Sequence, residues 1–132
     1  MTRRISLAVV LAVVAVSGSC RKFSTEPGLV CTAVAIAGIY INVQDRLTDT
    51  PQPFTGLWAR AVDGTFRDSS AMAFTNPQTG VVSIALVYER PGTYDVTVNA
   101  NGYQQFVRTG VVVTKGECHV NPVEIVARLL KP

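Results

Sequence analysis

From residue 31 onward, hydrophobic and polar side chains alternate along the chain. Ile39, Ile41 and Val43 alternate with polar or partly polar neighbours, which is typical of a strand with one buried face. No stretch has the 3.6-residue period of an amphipathic helix. Seven such runs occur at spacings of roughly ten residues, separated by turns rich in Gly and Pro. The runs are residues 39–44, 57–62, 65–68, 81–88, 93–100, 105–113 and 119–130. The pattern predicts an all-β, seven-stranded β-sandwich.

The first nineteen residues have a different pattern, typical of an export signal. Arg3 and Arg4 precede an apolar run of about twelve residues, shorter than the roughly twenty that span a membrane. The residues that follow, Val16-Ser17-Gly18-Ser19-Cys20, resemble a bacterial lipobox. We therefore predict a signal peptide (1–19), lipidation of Cys20 and a short tether (20–30). The protein would then be exported to the bacterial cell envelope as a membrane-anchored lipoprotein, on the periplasmic or surface face. Ordinary cleavage after Ser17 or Ser19, or an uncleaved anchor, stays open.

The cysteine count supports this interpretation. Three cysteines in an exported protein leave one without a partner. Acylation of Cys20 would leave Cys31 and Cys118, which precede the first and last predicted strands. We predict a disulfide between them, worth about 4–5 kcal/mol in the chain-entropy model. The alternative is a metal site using Cys118 and His119, but adjacent strand residues point to opposite faces and no paired ligand spacing occurs. We expect no metal and no cofactor.

Composition and charge narrow the possible functions. Only 16% of residues are charged and 48% are hydrophobic, which argues against disorder. The net charge of +3 includes Arg3 and Arg4 of the predicted signal, and residues 31–132 carry eight basic and eight acidic side chains. A neutral domain is not expected to bind nucleic acid. After the signal, the chain is too short for a two-domain enzyme with a cofactor domain.

Two motifs in the predicted domain resemble those of a known family. The first is Val43-Gln44-Asp45 with Thr48 and Pro51, and the second is Gly92-x-Tyr94-x-Val96-x-Val98-x-Ala100-x-Gly102-Tyr103. They are similar to the V-x-D-x-x-T-G-x-P opening and the G-x-Y-x-V-x-V-x-A-x-G-Y core of carboxypeptidase regulatory-like domains. The similarity extends over residues 31–130. Asp49 departs from the pattern, because a turn glycine is usual at this position.

The resemblance implies a Greek-key β-sandwich of the transthyretin (prealbumin) type, spanning residues 31–132. In this family such domains are accessory modules of peptidases, surface proteins or transporters and carry no catalytic residues. The motif residues Gly92, Tyr94, Gly102 and Tyr103 then specify the fold. The two glycines suit turns with positive φ, Tyr94 can bury its ring while its hydroxyl reaches the backbone, and Tyr103 covers one end of the sandwich.

The sequence offers little chemistry for catalysis. His119 is the single histidine, and no Gly-x-Ser-x-Gly elbow or phosphate-binding glycine loop occurs. The carboxylate pairs Asp45/Asp49 and Asp63/Asp68 lie at turns, where such side chains usually form the turn. A transthyretin-like hydrolase ends in Tyr-Arg-Gly-Ser, whereas this chain ends in residues 128–132, Arg-Leu-Leu-Lys-Pro. We predict that the protein is not an enzyme; a small hydrolase is the less favoured alternative.

Two kinds of binding module remain: one that holds an envelope protein and one that binds a glycan. The longest irregular stretches, residues 48–56 and 69–80, are the best candidates for recognition. Phe54 and Phe74 are the possible binding residues there. Trp58 and Phe66 flank the Asp63-Gly64 turn and are expected in the core, as are the two loop aromatics if they do not bind. An exposed row of aromatic residues would favour carbohydrate, whereas a surface poor in aromatics would favour protein.

Overall fold

The computed structural model describes residues 28–132, of which Cys31–Pro132 form one compact unit. The predicted signal peptide, Cys20 and most of the predicted tether lie outside the described residues. The described part is all-β and contains no helix long and apolar enough to cross a membrane. Its strands are β1 (Ala37–Asp45), β2 (Trp58–Asp63), β3 (Phe66–Ser70), β4 (Ala73–Thr75), β5 (Val82–Tyr88), β6 (Gly92–Asn99), β7 (Phe106–Lys115), β8 (Val120–Asn121) and β9 (Val123–Leu129).

The strands form two sheets. The first has the order β4-β5-β1-β9 and the second the order β3-β2-β6-β7-β8. In the first sheet, β1 pairs antiparallel with β5 and parallel with β9. The first and last strands of the domain are therefore direct neighbours in this sheet. The second sheet is built from antiparallel pairs, beginning with the β2–β3 hairpin. The arrangement resembles a β-sandwich.

Alternation along the strands places the core between the two sheets. Ile39, Ile41 and Val43 of β1 are fully buried, as predicted from their spacing. They pack in one hydrophobic cluster with Val96 and Val98 from β6 of the other sheet. Burial of such side chains, at about 25 cal/mol per Å² of apolar surface, is the main force that holds the sheets together.

Each predicted strand has a counterpart in the structure, but the described residues contain nine strands rather than seven. The last predicted run is divided into β8 and β9 by Pro122, which has no N–H for a ladder. The other addition is β4, which pairs with β5 at the edge of the first sheet. The sequence suggested that residues 69–80 form one irregular loop, but β4 and the end of β3 lie within this stretch.

Two turns contain a residue with a positive φ. The β2–β3 hairpin pairs Asp63 with Phe66, so its two loop residues are Gly64 and Thr65, one position later than expected. Gly64 has a φ of 58°, which glycine adopts easily. Asp49 has a φ of 49°, the left-handed conformation that suits the glycine usual in the family. Aspartate is among the side chains that tolerate this region best.

Candidate functional site

The predicted disulfide is present: Cys31 and Cys118 are bonded, with their Cα atoms 5.3 Å apart. It joins the segment before β1 to the turn between β7 and β8. Disulfides persist in oxidising compartments, so the bond indicates an exported protein. Because the Cys118 sulfur is used in the bridge, it is not available as the metal-binding thiolate that the alternative required.

A hydrogen-bonded cluster lies beside the disulfide. His119 Nδ1 lies 2.7 Å from Glu89 Oε1, and His119 Nε2 lies 2.9 Å from Thr32 Oγ1. Glu89 Oε1 also accepts a 2.7 Å hydrogen bond from the Ile36 backbone N–H. Thr32 and Ile36 belong to the segment 31–36, here called the strap. Their contacts with His119 and Glu89 hold the strap against the sandwich. We therefore assign the cluster to anchoring the strap.

The strap contacts change the acidity of Glu89. The hydrogen bond from the Ile36 N–H stabilises the carboxylate and is the main reason that the pKa of Glu89 lies below its usual value of 4.5. The hydrogen bond and charge interaction with His119 lower the pKa of Glu89 further. The strap is therefore held best when Glu89 is ionised. Among residues 28–132, no group of three or more His, Cys, Asp or Glu side chains is placed to hold a metal ion.

The Gly92 and Tyr94 motif organises the start of β6. Tyr94 is fully buried, and its hydroxyl donates a 3.0 Å hydrogen bond to the backbone carbonyl of Arg90. The expectation of a positive φ at Gly92 is wrong, because its backbone is not in that region. Instead, a Cβ atom at Gly92 would lie 2.6 Å from Asp63 Oδ2 and 2.9 Å from the Tyr94 hydroxyl. Glycine is needed there for space rather than for conformation.

Arg90 completes this corner of the sandwich. Its guanidinium donates to Asp63 Oδ2 at 2.9 Å and to the Tyr94 hydroxyl at 2.6 Å. The guanidinium carbon also lies 3.9 Å from the centre of the Phe66 ring, within cation–π range. The hydrogen bond to Asp63 is the main cause that raises the pKa of Arg90. These side chains are engaged with one another, which is a structural role.

The Gly102 and Tyr103 motif covers the other end of the domain. Gly102 has a φ of 80° and turns the chain after β6. The Tyr103 hydroxyl donates a 2.9 Å hydrogen bond to Asp45 Oδ2, and its ring packs edge-to-face on Phe54 with centroids 5.3 Å apart. Phe54 is partly buried against the core, so its ring supports the fold. Of the two loop aromatics, Phe54 is placed as a packing residue.

Asp45, which binds the Tyr103 hydroxyl, is buried. Its side chain accepts hydrogen bonds from the Leu47 N–H at 2.9 Å and from Tyr103, and Lys131 Nζ lies 3.5 Å away. The Leu47 hydrogen bond is the largest of the effects that hold the pKa of Asp45 below its usual 3.8, against the opposing cost of burial. Asp45 therefore shapes the beginning of the loop 48–56, in agreement with its expected role as a turn former.

The other carboxylates of the two pairs are also engaged locally, although Asp68 lies within β3 and not at a turn as expected. Asp49 contacts Arg128 at 3.1 Å, Asp63 contacts Arg90, and Asp68 Oδ2 accepts a 2.7 Å hydrogen bond from the Val87 N–H. Each carboxylate thus meets a cation or a backbone donor. This is the arrangement of groups that fix loops rather than of a catalytic acid and base.

The two stretches predicted to be recognition loops meet in space. They line a cleft of about 360 Å³ that contains residues from both stretches and the first residue of β5. This volume lies within the range of about 300–1,000 Å³ typical of ligand pockets. The lining residues are Pro51, Gln52, Pro53, Thr75, Thr79, Gly80 and Val82. We call this surface the loop cleft.

The walls of the loop cleft are held by the backbone. On one side, the Asn76 N–H donates to the Val81 carbonyl at 2.8 Å and the Gly80 N–H to the Asn76 carbonyl at 2.7 Å. Asn76 Oδ1 accepts from the backbone N–H groups of Gln78 and Thr79. On the other side, Pro51 and Pro53 fix φ and cannot donate to a ladder. Both walls of the cleft therefore have restricted backbone conformations.

Phe74, the other loop aromatic, is 56% exposed and is not among the residues that line the cleft. It sits on β4 opposite Ser83, on the outer side of the first sheet, next to the lining residue Thr75. Pro51 was noted only as part of the first motif, and the other lining residues were not singled out as binding residues from the sequence. The Pro-Gln-Pro segment and the Asn-to-Gly turn at 76–80 marked two turns, but only the fold brings them together.

Neither a protein-family model nor a curated protein matches the chain.

Proposed function

We propose that this chain is an exported, lipid-anchored module of the carboxypeptidase regulatory-like type that binds a partner protein at the cell envelope and catalyses no reaction. One observation carries the proposal: the two stretches chosen from the sequence as recognition loops converge on one cleft. Phe74, on β4, is exposed on the outer side of the first sheet. Clefts of this kind suit the insertion of an anchor residue from a partner.

The placement in the family rests on local conformation. Asp49 takes the left-handed conformation at the position where the family's glycine is usual. Tyr94 and Tyr103 both use their hydroxyls within the fold, which agrees with motifs that specify structure. A seven-stranded Greek-key core, with β4 and β8 as short additions, is the topology we propose.

The absence of catalysis is supported by what the only histidine does. Both ring nitrogens of His119 are within hydrogen-bond distance of strap-anchoring groups, Glu89 and Thr32. A hydroxyl, an imidazole and a carboxylate in this order also form a catalytic triad, so the proposal rests on a further contact: Glu89 Oε1 accepts a hydrogen bond from the Ile36 N–H of the strap. In this arrangement the imidazole orients the strap.

The test of the cleft is site-specific photo-crosslinking in intact cells. We expect a photo-reactive amino acid in place of Gln52, which lines the cleft, to give a discrete crosslinked product. The same substitution at Gln104, an exposed residue outside the cleft, is the matched control. Equal products at both positions, or none at Gln52, contradict the proposed binding site.

Membrane attachment has its own test. We expect the mature protein to fractionate with membranes and its intact mass to include acyl chains on Cys20. Cys20→Ser should give unprocessed or soluble protein, whereas Cys31→Ser should still be acylated. Cleavage at Cys20 without added acyl mass contradicts lipid anchoring and leaves the cleft proposal unaffected.

A further inference from the structure

The outer side of the second sheet carries a second candidate surface, which shares no residue with the loop cleft. On β2, Ala59 and Ala61 face the core, so Trp58 and Arg60 face outward. Pairing places Trp58 beside Asn99 of β6, and Arg60 beside Thr97. The surface formed by Trp58, Arg60, Thr97, Asn99 and the neighbouring Val107 of β7 is here called the Trp58 face.

Two polar atoms of the Trp58 face lack partners. Arg60 Nε and Asn99 Nδ2 are covered from solvent and have no hydrogen-bond partner among the described residues. An unsatisfied buried donor costs about 1–3 kcal/mol and is uncommon in native proteins. Both side chains are half-buried, so part of each reaches the surface. Because both atoms are donors, a ligand that meets them supplies acceptor oxygens.

The charged residues of the Trp58 face indicate the charge of its ligand. Within residues 28–132, neither Arg60 nor the exposed Arg67 on the adjacent strand β3 forms an ion pair. Arg67 pairs with Val62 and so shares the outward side with Arg60. The acidic side chain nearby, Asp95, opposes Val62 and accepts a 3.1 Å hydrogen bond from the Gly110 N–H. Two unpaired guanidinium groups against one engaged carboxylate favour a ligand with carboxylates.

Trp58 indicates the shape of the ligand. Its side chain is 36% exposed, although the sequence suggested a core position, and the Arg60 guanidinium carbon lies 5.8 Å from the ring centre. An exposed indole offers a flat apolar surface beside polar groups. Gln105 donates a 3.2 Å hydrogen bond to Asn99 Oδ1, which holds the amide at the edge of this face. A sugar ring combines a flat C–H surface with a rim of oxygens and so matches both features.

We infer that the Trp58 face binds an acidic polysaccharide. Trp58 stacks on a sugar ring, Arg60 pairs with a uronate carboxylate, and Asn99 donates to a hydroxyl or ring oxygen. This site is separate from the loop cleft, so the protein could hold an envelope protein and a glycan at once.

The test is native affinity electrophoresis of the full chain in gels that contain alginate, a polymer of uronic acids, or dextran, which is neutral. We expect alginate to retard the protein and dextran to leave its mobility unchanged. Trp58→Ala and Arg60→Met should each weaken alginate retention about tenfold or more, the loss expected for a charge-assisted contact. Circular dichroism checks that each variant is folded.

Two matched controls separate this site from general effects. Arg46→Met removes an exposed arginine elsewhere, and Phe74→Ala removes the exposed aromatic on β4. Both should leave alginate retention unchanged. No retention by alginate overturns the inference, as does equal retention by dextran. Retention that Arg46→Met weakens as much as Arg60→Met reflects unspecific charge attraction and also overturns it. If Trp58→Ala fails to fold, Arg60→Met decides.

Discussion

Removing the Cys31–Cys118 disulfide tests how the strap contributes to the domain. The perturbation is the double substitution Cys31→Ser with Cys118→Ser, compared with the wild-type protein in oxidised and reduced form. The bridge spans 87 residues in sequence. In the chain-entropy model, closing a loop of that length in the unfolded chain is worth about 4.6 kcal/mol at 25 °C.

The measured loss should be smaller than this figure. Residues 31–35 are exposed and lie outside the strands, so the strap can detach from the folded domain once the bridge is gone. Its detachment returns conformational freedom to the native state and offsets part of the loss. We expect a loss of about 3 kcal/mol, equivalent to a fall in Tm of roughly 15 °C for a domain of this size.

The assay is urea unfolding followed by far-UV circular dichroism. The double variant and the reduced wild type should unfold at the same lower midpoint, and both should keep the β signal of the oxidised protein. The core cluster does not include either cysteine, so the fold itself should survive. An unchanged midpoint refutes the reasoning, as does a free-thiol titration that finds both cysteines reactive in protein from the oxidising compartment.

Three further predictions concern single residues. The lowered pKa of Glu89 means that its carboxylate stabilises the fold fully above about pH 4.5 and loses this effect as pH falls through the lower, folded pKa; urea midpoints measured across this range should fall less in Glu89→Gln than in the wild type. Gly92→Ala should destabilise by about 1–3 kcal/mol in urea unfolding because its Cβ would meet the Asp63 carboxylate, and an unchanged midpoint would show that this corner can yield. Thr32, His119 and Glu89 lie in the order of a nucleophile, base and carboxylate. Because we propose that they anchor the strap instead, hydrolysis of p-nitrophenyl acetate should be the same in wild type and His119→Ala, and a rate that the substitution abolishes would contradict the non-catalytic proposal.

The alternation of side chains predicted most of the strands because burial on one face imposes a period of two. It failed at β4, where Ala73, Phe74 and Thr75 are all exposed and show no alternation. That strand exists because β5 offers an unpaired edge. Its position depends on a neighbour in the sheet rather than on its own residues.

The candidate site was predictable only in part, for a similar reason. Turn composition identified both loops, but their convergence on one cleft depends on strand order. Gly92 was chosen for the wrong property, since the constraint comes from Asp63 on another strand. Trp58 was expected in the core because large aromatic residues usually lie there, whereas the alternation of β2 directs it outward. Contacts between distant residues decide each of these cases.

The parallel pairing of β1 with β9 has a consequence for biosynthesis. Ile39 lies opposite Val123 and Asp45 opposite Leu129, so the inner strand of the first sheet needs residues made more than eighty positions later. Pairings this distant in sequence form slowly and only after loop closure. Until the C-terminal residues are free, β1 lacks β9, one of its two neighbours in the sheet. The first sheet can therefore be completed only after the last residues of the domain have been released.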